Sequence, residues 1–275
     1  MPRAWTPSPL LQATVAAHGA ALVGSLAYPA CWPWAVGGLV VNHAVLTVAG
    51  LLPRCGWLGP TLTRLPAAAA AAGQIALTID DGPDPEVTPK VLDLLDSTNA
   101  KATFFCTGRR ARQHPTVCRD IVNRGHRVEN HGHSHSNAFS LFGPARMKTD
   151  IATAQAILSD ITGQAPHFFR ATAGLRNPFL EPVLAQFDLH LAAWTRRGFD
   201  TRQSRADIVL QRLSHRLAAG DVLLIHDGNA ARTAAGQAVI LEVLPRLLRT
   251  CAQHHLTPVT LAESCIEWRT HFQKH

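Results

Sequence analysis

Two adjacent carboxylates, Asp80 and Asp81, close the apolar run Ile75-Ala76-Leu77-Thr78-Ile79, and the histidines of Asn130-His131-Gly132-His133-Ser134-His135 follow about fifty residues later. These residue types suit a hydrolytic metal centre. A divalent ion that activates water needs about three protein ligands and an open position, and two imidazoles with one carboxylate are a recurrent set for zinc. Asp81, His131 and His135 supply that set, which cobalt or nickel would also accept. Asp80 is then free to take a proton from the activated water. The spacing of His131 and His135 places both rings on one side if the segment makes a helical turn, although Gly132 and Ser134 favour a loop. His133, two positions from each, is expected to point away from the ion.

Two further segments deliver a polar residue from the end of an apolar run. His226, in Leu223-Leu224-Ile225-His226-Asp227-Gly228, suits a general acid that protonates a departing amine. Arg170, in His167-Phe168-Phe169-Arg170-Ala171-Thr172-Ala173-Gly174, suits a clamp that holds Asp80 ionised, and the Ala173-Gly174 backbone can approach a substrate closely. Each segment also has a plainer reading. Asp-Asp-Gly-Pro is by composition an ordinary turn, a chain with 15 histidines spaces some of them by chance, and a strand-end histidine can simply bond a backbone carbonyl.

The elements that must position these residues alternate. Apolar β-rich runs at 75–79, 102–105, 127–130, 167–169, 190–193, 222–225 and 257–259 are interleaved with helical patterns at 89–96, 109–124, 147–161, 177–186, 205–217 and 236–254. Such alternation predicts an α/β fold of parallel βα units. About seven units would either close into a distorted barrel or form an open doubly wound sheet, and in both the chemical segments fall at C-terminal strand ends.

Taken in order, the segments resemble the motifs of the polysaccharide deacetylase family, the NodB-homology or carbohydrate esterase family four domain, from about Gln74 onward. That resemblance implies a distorted (β/α)7-type barrel that hydrolyses the N-acyl carbon-nitrogen bond of a sugar. It makes Asp80 the catalytic base, Asp81, His131 and His135 the metal ligands, and His226 the catalytic acid. The third motif departs from the family pattern. Arg170-Ala171-Thr172-Ala173-Gly174 stands where Arg-Pro-Pro, an aromatic residue and Gly are usual, so Ala173 inherits the oxyanion-binding N–H while the aromatic wall beside it is missing. A wider substrate site is expected. This alanine-rich motif, followed by Arg176, is also similar to that of enzymes that deformylate lipid-linked aminoarabinose. Trp194 and Asp200 match the fourth motif loosely, with Asp200 expected to tune His226.

The first 66 residues have a different character. Before Asp80 there is no Asp, Glu or Lys, and the charged residues are Arg3, Arg54 and Arg64. Two apolar stretches, 10–28 and 34–52, are near the ~20 residues a membrane-spanning helix needs, and Pro29 to Pro33 with Tyr28, Trp32 and Trp34 suits an interfacial turn. A membrane helical hairpin over 1–66 is therefore expected, followed by an alanine-rich linker over 67–73 and a catalytic domain over 74–275. A hydrophobic arm packed on the domain is the alternative. The three arginines would lie on one side, which the positive-inside rule makes cytoplasmic, whereas acetylated wall polymers lie outside.

A net charge of +7 suggests an anionic partner such as a phospholipid headgroup or a lipid pyrophosphate, and no nucleic-acid motif stands out. The six cysteines lack metal-finger spacing and read as free thiols. The expected substrate is an N-acetylated or N-formylated sugar, polysaccharide or lipid-linked saccharide. The altered third motif also admits a non-sugar or cyclic amide on the same barrel, and a membrane-anchored glycan-binding protein without turnover is a rival of another class.

Overall fold

A computed structural model describes residues 2–265. Its centre is strand β1 (Gln74–Asp80), in which the six consecutive residues from Ile75 to Asp80 are buried. Parallel strands buried on both faces read as continuous apolar runs, and β1 is the hub of the sheet. It pairs in parallel with β2 (Thr103–Cys106), β7 (Val222–His226) and β8 (Thr257–Val259). Beyond β2 lie β3 (Arg127–Asn130), β4 (Phe168–Phe169) and β5 (His190–Leu191), and beyond β7 lies the two-residue β6 (Arg196–Arg197). All seven expected strands are present. This is the distorted barrel of the (β/α)7 type, and β6 is an addition too short to leave a periodic signal.

Helices cover the outer face: α4 (Thr88–Asp96), α5 (Gly108–Gln113), α6 (Pro115–Asn123), α7 (Pro144–Thr162), α8 (Leu180–Gln186), α9 (Ala206–Ser214), α10 (Ile240–Gln253) and α11 (Leu261–Ser264). The helix expected over 109–124 is split into α5 and α6, because Pro115 lacks the N–H that would continue the first and is suited to start the second. In α10 the buried residues Ile240, Val243, Leu244, Leu247, Leu248 and Cys251 repeat at the three- and four-residue spacing of one helix face.

The apolar N-terminal hairpin is present. Helices α1 (Pro9–Ala27) and α2 (Trp32–Leu51) are joined by a short 3-10 turn, Pro29–Cys31. Both are long and apolar enough to cross a membrane; α1 buries none of its residues, and α2 buries only Leu46, Ala49 and Gly50. Thr14 bonds Asn42 across the pair at 3.1 Å, and the His18 and His43 rings meet edge to face. Thr14, His18, Asn42 and His43 thus meet between the helices.

The stretch from 58 to 71 is built into the barrel. The alanines expected to form a linker make helix α3 (Ala67–Ala71), since alanine is the best helix former and Pro66 suits the position before its first turn. Leu62, Leu65 and Ala69 pack with Phe105, Phe168 and Val222 in a core cluster. Leu62 bonds the backbone of Leu191 and Ala193, and Arg64 bridges to Asp221, so this segment seals the gap between the two ends of the curved sheet.

The three arginines on which the cytoplasmic orientation rested are each engaged by the domain. Arg3 is ion-paired with buried Glu181, Arg64 bonds Asp221 at 2.7 Å, and Arg54 bonds the Thr195 carbonyl at 3.3 Å. Charges held by the fold do not report which side of a membrane the domain occupies, so that expectation loses its support.

Candidate active site

Strand β1 ends where Asp81 adopts a positive φ of 74°, which turns the second carboxylate to the rim beside the first. Parallel pairing of β1 with β7 sets Asp80 directly against His226 in register. The carboxylates and the candidate acid therefore share one rim by sheet geometry alone. The close approach of the two strand ends needs a glycine: a Cβ on Gly228 would lie 2.2 Å from the Asp81 carbonyl oxygen.

Asp81 Oδ1 lies 3.1 Å from His131 Nε2 and 2.8 Å from His135 Nε2. One potential ligand atom from each of the three residues falls within 4.8 Å of the others. The segment carrying the histidines is a loop with positive φ at Gly132 and His135, and its shape is held by Asp150, which accepts from the His133 and Ser134 N–H groups. His131 Nδ1 meets the Arg170 carbonyl oxygen at 2.7 Å, which leaves Nε2 as the nitrogen turned to Asp81. A bond of this kind fixes the tautomer and direction of a metal-binding imidazole. Burial alone would raise the Asp81 pKa, but its hydrogen bonds with His131 and His135 outweigh it and hold the carboxyl well below the usual range. Two imidazoles and an ionised carboxylate converging on a few ångströms fit a divalent ion.

Arg170 is 1% exposed and sits behind Asp80. It donates to Asp80 Oδ1 at 2.6 Å, to Thr78 Oγ1 at 2.8 Å and to the Ala192 and Ala193 carbonyls, with its guanidinium carbon 4.0 Å over the Phe105 ring. Burial lowers its pKa, Asp80 opposes this, and Arg197 adds to the lowering. On the other side, Asp200 Oδ1 bonds His226 Nδ1 at 2.9 Å, while Oδ2 accepts the His226 backbone N–H at 2.7 Å. Burial disfavours a charged His226, but Asp200, aided by Asp80 and Asp81, takes its pKa up to about 9.

Asp80, Asp81, His131, His135 and His226 line a pocket of about 360 Å³ together with Ala173, Gly174, Trp194 and Phe199. All ten residues singled out from the sequence belong to this assembly, eight in the pocket wall and Arg170 and Asp200 directly behind it. His133 is outside it, in line with its expected direction. The third motif contributes no aromatic side chain, as expected, yet the pocket has an aromatic wall. Trp194 and Phe199 supply it from the segment around β6.

Sequence reasoning missed Phe199 and Asn229. Asn229 donates to Asp81 Oδ2 at 2.9 Å, leaving Oδ1 for the histidines. Its position three residues after His226 was the only signal available.

The sequence matches the family model described as polysaccharide deacetylase over residues 68–192. A peptidoglycan-N-acetylglucosamine deacetylase of Bacillus cereus is 31% identical over 177 residues, covering 63% of each chain. A chitooligosaccharide deacetylase of Azorhizobium caulinodans is 32% identical over 155 residues, covering 56% of this chain and 73% of the relative. This chain belongs to the polysaccharide deacetylase family. Both of these relatives are named as deacetylases of N-acetylated sugars. The solved family 4 carbohydrate esterase of Streptomyces lividans, in complex with acetate, superposes on this deacetylase-family chain with a TM-score of 0.62 at 31% identity, covering 68% of this chain and 91% of that one. The chain spans just under two thirds of the Bacillus relative's length. The family match ends at residue 192, so Trp194, Asp200, His226 and Asn229 lie beyond it and are placed by the fold.

Proposed function

We propose that this chain is a metal-dependent hydrolase that removes an N-acyl group, acetyl or formyl, from a saccharide, with its N-terminal hairpin seated in a membrane. The observation that carries this reading is the placement of Asp80 and His226 on neighbouring strands at the mouth of one pocket, with Asp81, His131 and His135 beside them. The relatives that deacetylate peptidoglycan N-acetylglucosamine and chitooligosaccharides support the sugar.

Asp81, His131 and His135 would hold the ion, zinc by their chemistry. Bound there, it would supply the Lewis acidity that makes water nucleophilic near neutral pH. Asp80 takes the proton from the attacking water. Arg170 holds Asp80 by one oxygen, so the other faces the pocket and remains available as base. The Ala173 N–H, on a turn with φ of 56°, donates to the oxyanion of the tetrahedral intermediate. His226, kept protonated by Asp200, gives its proton to the nitrogen as the carbon-nitrogen bond breaks, and the amine leaves neutral. Trp194 and Phe199 offer apolar faces for a sugar ring.

The test is acetate and formate release from a panel of N-acylated saccharides by the full chain in detergent, beside Asp80→Asn and a metal-stripped sample. Release by wild type that falls at least about a thousandfold in both controls is expected. Full activity in either control sinks the mechanism.

A further inference from the structure

A second cavity, of about 780 Å³, opens beside the active-site pocket and shares Ala173, Trp194, Arg197 and Phe199 with it. Its far wall is the foot of the hairpin, Leu51, Pro53 and Arg54, and its floor includes Arg212 and His215. The hairpin is locked to this place. The Arg176 N–H bonds the Gly50 carbonyl at 3.0 Å, and a Cβ on Gly50 would lie 2.2 Å from the Arg176 oxygen. Arg176 also donates to the Cys55 carbonyl.

The cavity is strongly cationic. Arg196, which also lines it, shares Asp221 with Arg64 in ion pairs, but Arg54, Arg197 and Arg212 take part in no salt bridge among the described residues. Arg197 and Arg212 both stack on the aromatic wall of the active site, with guanidinium carbons 5.0 and 5.4 Å from the Phe199 ring centre, and Arg197 lies 5.2 Å from that of Trp194. The Arg197 Nε is buried without a hydrogen-bond partner. Arginines held by ring stacking and weak carbonyl bonds keep their donor forks free for an anion.

We infer that this cavity is an anion subsite that takes the phosphate or pyrophosphate of a lipid-carried saccharide while the N-acyl group of that saccharide lies in the adjoining pocket. The inference deepens the hydrolase reading and rests on it for the acyl chemistry. The position of the hairpin foot explains the carrier: the last turn of α2 is where a spanning helix leaves hydrocarbon, so the cavity opens at headgroup depth. A phosphate in the cavity would join a lipid on the hairpin side to a sugar on the metal side.

The test uses the zinc-loaded full chain in phosphatidylcholine nanodiscs. Inorganic pyrophosphate is titrated by calorimetry, and acetate release is compared for N-acetylglucosamine and for the same sugar joined through pyrophosphate to a polyprenol. Wild type and Asp81→Asn are expected to bind pyrophosphate alike, and Arg54→Gln with Arg212→Gln to bind it at least about tenfold more weakly. The double variant should lose at least about tenfold in kcat/KM on the pyrophosphate-linked sugar and stay within about twofold of wild type on the neutral one. Pyrophosphate binding that survives in the double variant, or is lost only in Asp81→Asn, overturns the subsite. So does displacement of pyrophosphate by phosphatidylglycerol nanodiscs without any preference for the phosphorylated sugar, which would give the cavity to membrane headgroups. Pyrophosphate binding with no acyl release from any sugar would instead overturn the hydrolase reading and leave the subsite in place.

Discussion

Replacing Asp200 by Asn tests the acid half of the chemistry. Both carboxylate oxygens of Asp200 bond His226, one to the ring and one to the backbone N–H. An amide has one carbonyl oxygen, so in Asp200→Asn an NH₂ group must face one of these donors, and the negative charge is gone. Burial, which opposes protonation, then acts without its main counterweight, and the pKa of His226 should drop from about 9 to its ordinary 6.5 or below. At about pH 7.5 the protonated fraction would fall from ~97% to ~10%, roughly a tenfold loss of kcat/KM on this ground alone. The alkaline limb of the pH profile for acetate release should move down by about 2.5 units. Stability follows the same linkage. A histidine whose folded pKa is raised stabilises the fold fully below its unfolded value and loses that contribution as pH rises through the folded value. The variant should therefore be less stable by about 3 kcal/mol near pH 6, with the gap closing above about pH 9. An alkaline limb that shifts by less than about half a unit in Asp200→Asn would refute the assignment of His226 as the acid held charged by Asp200.

Asn229→Ala removes the donor to Asp81 Oδ2, and loss of a bond that holds a ligand carboxylate in place should weaken metal binding by about 10- to 100-fold in a chelator competition assay. Arg170→Met leaves Asp80 and Thr78 without their buried donor and should destabilise the fold by about 3–5 kcal/mol in denaturant unfolding, in addition to abolishing turnover. Gly228→Ala places a methyl group against the Asp81 carbonyl and should reduce bound metal per chain while far-ultraviolet dichroism stays native. Arg3→Ala strands a buried Glu181 whose pKa burial already raises and Arg3 opposes; thermal unfolding should show a loss of about 3 kcal/mol or more near neutral pH that shrinks as acid neutralises Glu181.

Much of the site was legible because its residues are short-range signals. A β-branched run cut off at Asp80-Asp81, a pair of histidines four apart, and a strand delivering His226 each announce themselves within about six residues. The long, strongly patterned elements, β1, β7 and α10, were legible for the same reason. The two-residue β6 was not, and neither was the helical nature of 67–71, where an alanine run carries helix propensity but no periodicity to separate it from a linker.

The sequence by itself determined the chemistry on offer: the donor set of Asp81, His131 and His135, a spare carboxylate at Asp80, an imidazole at His226, and an apolar hairpin with almost no charge. Tertiary structure alone decided what surrounds that chemistry. It set Asp80 beside His226 through strand register, brought Phe199 and Asn229 to the pocket, tied Arg3, Arg54 and Arg64 to the domain, and placed the hairpin foot against the loop of Arg176. The physical reason is separation along the chain. Local sequence encodes what a strand or turn delivers, whereas which ends meet depends on pairing and packing between segments tens to more than a hundred residues apart, and those contacts carry no signature in either segment read alone.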